Sequence, residues 1–418
     1  MSVRTWNAFR TPSRTIVAYA LASIILVGTT TGCLWWRFYE AAFDNLGDDG
    51  SGGGVRASSM VVFGYNDIGI NSINDDYSEI MFHPPNNTLR AEIISRGPQP
   101  QIVTAGVTVN YAVENNTSSV DKTNFWTYAE DLLGVALESD VGLTGNSLSG
   151  TMTLTENNDW AATGIPITPI DDDGLPSTYN IADVRVVDAN DVTAQTLAVV
   201  PVSTEISCNL CHDTADISTA TDILRKHDAR HGTDLENSKP VLCADCHADA
   251  SLNLPGDPNL PTLSHAMHGA HAERMQALNL EVSCFACHPG SETRGLRGVH
   301  YSHGLTCTDC HESMRAVAGN SRRPWVDLPK CSKCHSRDGF EFEQDQTLYR
   351  HSKGHGNVLC VACHGSPMDI GPSVVAADNL QAIGLQGHAG VINTCTVCHV
   401  GQPDAPFFHN AGGKGKDD

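Results

Sequence analysis

Seven copies of the pattern Cys-x-x-Cys-His lie between Cys208 and His399 of this 418-residue chain. They are Cys208/Cys211/His212, Cys243/Cys246/His247, Cys284/Cys287/His288, Cys307/Cys310/His311, Cys331/Cys334/His335, Cys360/Cys363/His364 and Cys395/Cys398/His399. Two cysteines three apart lie on one face of a helical turn, so both sulfurs can reach the same flat ligand. The pattern reads as covalent c-type haem attachment: two thioethers to one porphyrin, with the following histidine as proximal axial ligand. Seven covalently attached haem c groups are therefore expected. A single copy would also suit a zinc knuckle or a redox dithiol. Zinc sites, however, pair Cys-x-x-Cys with a distant half-site and do not need a histidine directly after every second cysteine.

Each iron has a second axial position. The chain has 19 histidines, of which seven sit in motifs, and 11 of the other 12 lie between His227 and His409. The surplus reads as sixth ligands giving bis-histidine haems. Glycine beside His231, His268, His303, His355 and His388 would let the backbone pass close to a ring, which favours these five. His227 and His271 follow, since 222–232 and 264–280 read as helices that put histidines four apart on one face. His265, His300, His351 and His409 are reserves. His83, far from every motif, reads as a packed or surface histidine. Methionine is the competing ligand, but Met267 adjoins His268 and the histidine is preferred.

The elements that must position these residues fall into four segments. Successive first cysteines are 35, 41, 23, 24, 29 and 35 residues apart. That is little polypeptide per porphyrin, so 204–418 is expected to be a haem-cored, mostly α or irregular cytochrome c domain, with the porphyrins themselves as core. Residues 59–203 are rich in Val, Ile and Thr and alternate at 101–113, 147–154, 183–188 and 196–202. Turn residues at 96–98, 114–117, 157–159 and 171–174 punctuate them, which predicts a β-sandwich of immunoglobulin-like type. Residues 124–137 read as a short helix or a loop. Residues 34–58 form a Gly-rich tether. Residues 1–33 begin with Arg4, Arg10 and Arg14, continue through an apolar run, and end at Thr30-Thr31-Gly32-Cys33, as a signal peptide would. An uncleaved anchor over 15–36 is the alternative.

These motifs resemble the exported multihaem c-type cytochromes of bacteria that respire extracellular or periplasmic acceptors. The end at Cys33 resembles a lipoprotein lipobox, with Thr30 where that family usually has Leu. Lipidation would use the one cysteine of 15 that no motif uses. The resemblance implies an electron-transfer protein rather than an enzyme, carrying electrons along seven bis-His haems from a membrane-associated donor to a periplasmic or extracellular acceptor such as a cytochrome or a metal oxide. It implies export, a lipid anchor at the outer membrane or in the periplasm, and self-association into an oligomer or filament. A multihaem reductase with one open haem is the alternative; no motif departs from Cys-x-x-Cys-His in the way that often marks such a haem. The formal charge of −22 argues against nucleic acid as a partner.

Overall fold

The computed structural model describes residues 58–409 except 192, 279, 281, 291, 338–339, 341, 367–370, 374 and 405–408. The expected leader, Cys33 and nearly all of the tether lie outside the described residues. Twelve strands are described: β1 (Met60–Tyr65), β2 (Asn71–Ser72), β3 (Ile80–Met81), β4 (Asn87–Ser95), β5 (Gln101–Ile102), β6 (Val107–Val113), β7 (Ser149–Thr151), β8 (Thr153–Leu154), β9 (Trp160–Ile165), β10 (Tyr179–Asp188), β11 (Thr193–Ser203) and β12 (Val241–Leu242). One sheet runs β1-β4-β9-β8 with β5 on β4, a second runs β2-β11-β10-β6-β7, and β12 pairs with β3.

The alternating stretches behave as period-2 strands should. In β6, Val109, Tyr111 and Val113 are buried while Thr108 and Ala112 are exposed. In the second sheet Val184 stands opposite Thr196 on one side and Tyr111 on the other. The two sheets share one core, to which Val62, Leu89 and Ile93 contribute from the first and Val109, Val184 and Val200 from the second. Paired sheets are therefore present, without an immunoglobulin-like identity being shown.

Strand β1 is buried at all six positions. Its Met60 and Val62 face the inter-sheet core. Its Val61, Phe63 and Tyr65 pack on Leu359, Val361, Ala362, Ala382, Ile392 and Val397 of the later half. A third cluster ties Tyr77 and Met81 to Leu242 and Ala244 through the first helix, α1 (Phe125–Leu133).

This packing corrects the expected fold class. Residues Ser58–Asp418 form one compact unit, and strands supply most of its extended regular structure. After β11 the helices are few: α2 (Thr219–His231), α3 (Leu263–Ala277), α4 (Val299–Ser302), α5 (Cys307–His311), α6 (Met314–Val317), α7 (Cys360–His364) and α8 (Leu380–Gln386), with 3-10 turns and loops between them. Only α2 and α3 exceed ten residues. The later half is thus not a mostly α, haem-cored domain. It has a side-chain core of its own, and it obtains one by leaning on the outer face of β1. No helix among the described residues is long and apolar enough to cross a membrane.

Candidate functional site

Each motif folds as a single helical turn. Five are 3-10 turns, and the fourth and sixth are α5 and α7. In the 3-10 cases the histidine N–H donates to the carbonyl of the first cysteine, as His212 to Cys208 (2.9 Å) and His399 to Cys395 (2.9 Å). The turn therefore presents two sulfurs and an imidazole from five consecutive residues. None of the 14 motif cysteines is in a disulfide.

The cover over these cysteines is uneven. Cys211, Cys246, Cys310 and Cys334, the second cysteines of the first, second, fourth and fifth motifs, are exposed. Cys208, Cys243, Cys284, Cys287, Cys307, Cys331, Cys360, Cys363, Cys395 and Cys398 are partly covered. The cause is the packing behind each turn. Cys363 and Cys398 rest on the apolar cluster that β1 backs. Cys211 and Cys246 belong to no apolar cluster among the described residues, so their turns leave both sulfurs at the surface. Neither of the two lies in the core.

Six motif histidines face a second histidine across a gap of one size. Ring centroids are 6.3 Å apart for His212 and His271, 6.3 Å for His247 and His227, and 6.0 Å for His288 and His268. They are 6.2 Å apart for His335 and His300, and 6.1 Å for both His364 with His409 and His399 with His355. The seventh, His311, has no imidazole in ring contact among the described residues.

Hydrogen bonds fix the tautomer in five of these rings. Nδ1–H of His212 donates to the Asp222 carboxylate (2.9 Å), and that of His247 to Pro261 O (2.8 Å). Nδ1–H of His268 donates to Ser264 O and that of His271 to Met267 O, both at 2.7 Å and each one helical turn back. His227 Nδ1 meets Thr233 Oγ1 (2.9 Å), whose own hydrogen is given to Asp228, so this ring also donates. In each such ring Nδ1 carries a hydrogen, the arrangement in which metal-ligating histidines use Nε2. Burial, followed by His268, His311 and His83, pushes His288 down to about 4. Burial also lowers His227, His268, His355 and His364. Burial thus favours the neutral imidazole at His227, His268, His288, His355 and His364.

The helices that carry these residues start and stop on local signals. The Ser218 hydroxyl accepts from Thr221 N–H at the start of α2, and Thr262 from His265 N–H at the start of α3. Helix α2 serves two motifs, since Asp222 holds His212 while His227 faces His247. Asp222 is pulled down to about 2 by Lys226, Thr214 and His212, so it stays anionic beside His212. Helix α3 also serves two, through His271 toward the first motif and His268 toward the third.

The thiols show which motifs are neighbours. Cys284 is lowered to about 6 by the hydrogen bond it accepts from Cys307. Cys310 is raised by burial and then by Cys334. Cys331 is pushed up to about 12 by burial, Glu343 and Cys360, and Cys363 to about 12 by burial and Cys398. Between the sixth and seventh motifs lies a cavity of about 830 Å³, lined by His364 with His409 and by His399 with His355, and closed at one side by Phe63 of β1.

Of the expected second ligands, His227, His268, His271 and His355 face motif histidines. His231 lies against His227 rather than a motif (4.8 Å). His303 has no ring contact among the described residues, and His388 bonds to Ala389 O and Gln386. The reserves His300 and His409 take the remaining two places. His83 uses both ring nitrogens, on Ser72 O and Asp249.

The expectation of seven covalently attached haems is also corrected. Among the described residues no group of three or more His, Cys, Asp or Glu side chains could hold a metal ion. A protein-only metal site needs three or four converging donors, whereas each facing pair offers two. With His311 unpaired and with Cys211, Cys246, Cys310 and Cys334 exposed, the motifs do not form seven equivalent closed sites. No protein-family model and no curated protein matches the chain.

Proposed function

We propose that the chain is an exported electron-transfer protein of the multihaem cytochrome kind, working through its six facing imidazole pairs. The observation that carries this reading is their common spacing. Two metal–imidazole bonds of about 2 Å end to end, plus roughly 1 Å from each nitrogen to its ring centre, require about 6 Å between centroids. A redox group held between the paired imidazoles would supply a one-electron couple. The chain's own residues do the rest. The paired Nε2 atoms would hold such a group between them, with the motif thiols in the same turns beside it. Nδ1 hydrogen bonds hold the imidazole planes and raise their basicity.

Neighbour relations support a continuous path. Helices α2 and α3 link the second motif to the first and the first to the third. A thiol hydrogen bond then links the third to the fourth, and the thiols of the fourth and fifth, fifth and sixth, and sixth and seventh motifs act on one another electrostatically. The order in space is thus second, first, third, fourth, fifth, sixth, seventh. The acidic surface favours positively charged donors or mineral surfaces. Export belongs to the same proposal, and a lipid anchor at Cys33 would hold the unit at a membrane. Soluble cytochromes or metal oxides would serve as acceptors, and self-association would extend the path between copies.

The test is spectroscopic. Full-length purified protein should show the sharp reduced bands of a bis-imidazole iron porphyrin, and low-spin ferric signals when oxidised. His271→Ala should turn one site high-spin. Protein without reversible visible bands, made in a host competent for covalent haem attachment, would refute the proposal.

A further inference from the structure

The cavity of about 830 Å³ between the sixth and seventh motifs has the size of a small-molecule site. Part of its wall is apolar: Phe63 of β1, Ile94 of β4 and Leu359 before α7 belong to one packed cluster and also line the cavity. Two further phenyl rings line it, Phe340 and Phe342, and the His409 ring lies 5.7 Å and 6.1 Å from them between centroids. Charge in the lining is one-sided. Glu343 is its one carboxylate among the described residues, and that group accepts hydrogen bonds from Ser332 N–H (3.1 Å) and from the Ser332 hydroxyl. Two cations line the cavity as well, Lys353 and Arg337. The Arg337 guanidinium stands over the Phe340 ring, 4.0 Å from its centroid, and neither cation pairs with a carboxylate among the described residues.

We infer that this cavity binds a planar aromatic acid, a carboxylate or sulfonate on a fused ring system, with its rings against the phenyl side chains and its anionic group toward Lys353 and Arg337. Phenyl walls give an aromatic ligand stacked and edge-to-face contacts beyond the area they bury. An aliphatic chain would fill the same wall but forgo those contacts. A cation in a partly enclosed site is screened only in part by water, so it favours an anion over a neutral molecule of the same shape. The imidazoles in the lining add hydrogen-bonding groups for the polar end of the ligand. The inference goes beyond the electron-carrier reading and does not rest on it, because walls and cations hold this ligand rather than a redox couple.

The experiment is isothermal titration calorimetry of purified full-length protein with three probes: naphthoate, its neutral analogue naphthol, and laurate as an aliphatic acid. Saturable binding of naphthoate is expected, tighter than that of naphthol or laurate. Lys353→Gln should weaken naphthoate roughly tenfold and leave naphthol unchanged, because only the anion meets the charge. Phe340→Ala should weaken both aromatic probes; if that variant does not fold, Lys353→Gln with its neutral control decides. Laurate binding more tightly than naphthoate would overturn the aromatic class. Absence of saturable naphthoate binding to the wild type would overturn the site, and the carrier reading, judged by its own spectrum, would stand. Naphthoate affinity unchanged in Lys353→Gln would place the binding elsewhere and overturn the site equally.

Discussion

Glu92 lies on β4 with no exposed surface, beneath the sixth motif. One carboxyl oxygen accepts from Leu359 N–H at 3.0 Å, and the other has no hydrogen-bond partner among the described residues. Burial, opposed by the Leu359 hydrogen bond and reinforced by Asp159, raises it from 4.5 to about 7. Its proton is therefore bound more tightly in the folded chain. As pH rises from 4.5, the unfolded carboxyl ionises while the folded one stays neutral, so stability falls until pH passes 7 and then levels. The difference between the two values corresponds to about 3 kcal/mol. Glu92→Gln keeps the shape and an acceptor for Leu359 but cannot ionise. Relative to wild type, its stability should rise by about 1 kcal/mol at pH 5 and about 3 kcal/mol at pH 8, apart from a constant offset. Urea denaturation of both proteins at pH 4, 5, 6, 7 and 8 measures this. A difference independent of pH would show that Glu92 is ionised in the folded state, and the burial argument would be wrong.

Three further outcomes follow from the same geometry. On the proposed electron-carrier reading, Asp222→Asn removes the anion from His212 Nδ1–H and should raise the midpoint potential at the first motif in a redox titration. On the same proposed reading, His409→Ala should open the sixth motif to a high-spin signal, whereas His388→Ala should leave the spectrum unchanged. Phe63→Ala removes a side chain only 1 % exposed from the contact between β1 and the sixth motif. It should cost about 3–5 kcal/mol in chemical denaturation.

What the sequence disclosed depended on how local its cause was. The strands at 107–113 and 179–188 alternate because one face meets the core and the other water, and the helix at Phe125–Leu133 falls inside the stretch that reads as a helix or a loop. Strands β1 and β4 do not alternate, because both faces are covered: one by the second sheet, one by the motif-bearing half. That second cover joins residues some 300 positions apart, and it is why a separate porphyrin-cored domain is the wrong expectation. The motif turns are legible from five residues each, but their cover is not: the same five-residue pattern leaves Cys211 and Cys246 exposed and sets Cys363 and Cys398 against the β1 cluster. The facing histidines are less legible still. Glycine beside histidine reads as room for a ring, yet Gly232 and Gly387 adopt φ of 70° and 82° as helix C-caps, serving α2 and α8 rather than any ligand. His300 and His409 are brought opposite His335 and His364 by tertiary folding alone, and no local pattern marks them.

The sheets and the motifs solve one problem between them. Short turns that each present an imidazole have little to stop them from drifting apart, because a turn of five residues has almost no packing of its own. Strand β1 supplies the missing rigidity. Its outer face fixes Leu359, Val361 and Ala362 at the sixth motif and Val397 at the seventh. Arg96, at the end of β4, bonds to Thr396 O (2.6 Å), and Gly97 exchanges backbone hydrogen bonds with Cys398 and Val400. At the other end of the path, Glu79 next to β3 receives hydrogen bonds from Ser218 and Thr221 at the start of α2 and an ion pair from Lys239. The β-layer thus clamps the two ends of the imidazole series and leaves the middle, around the fourth and fifth motifs, held mainly by α3 and short turns.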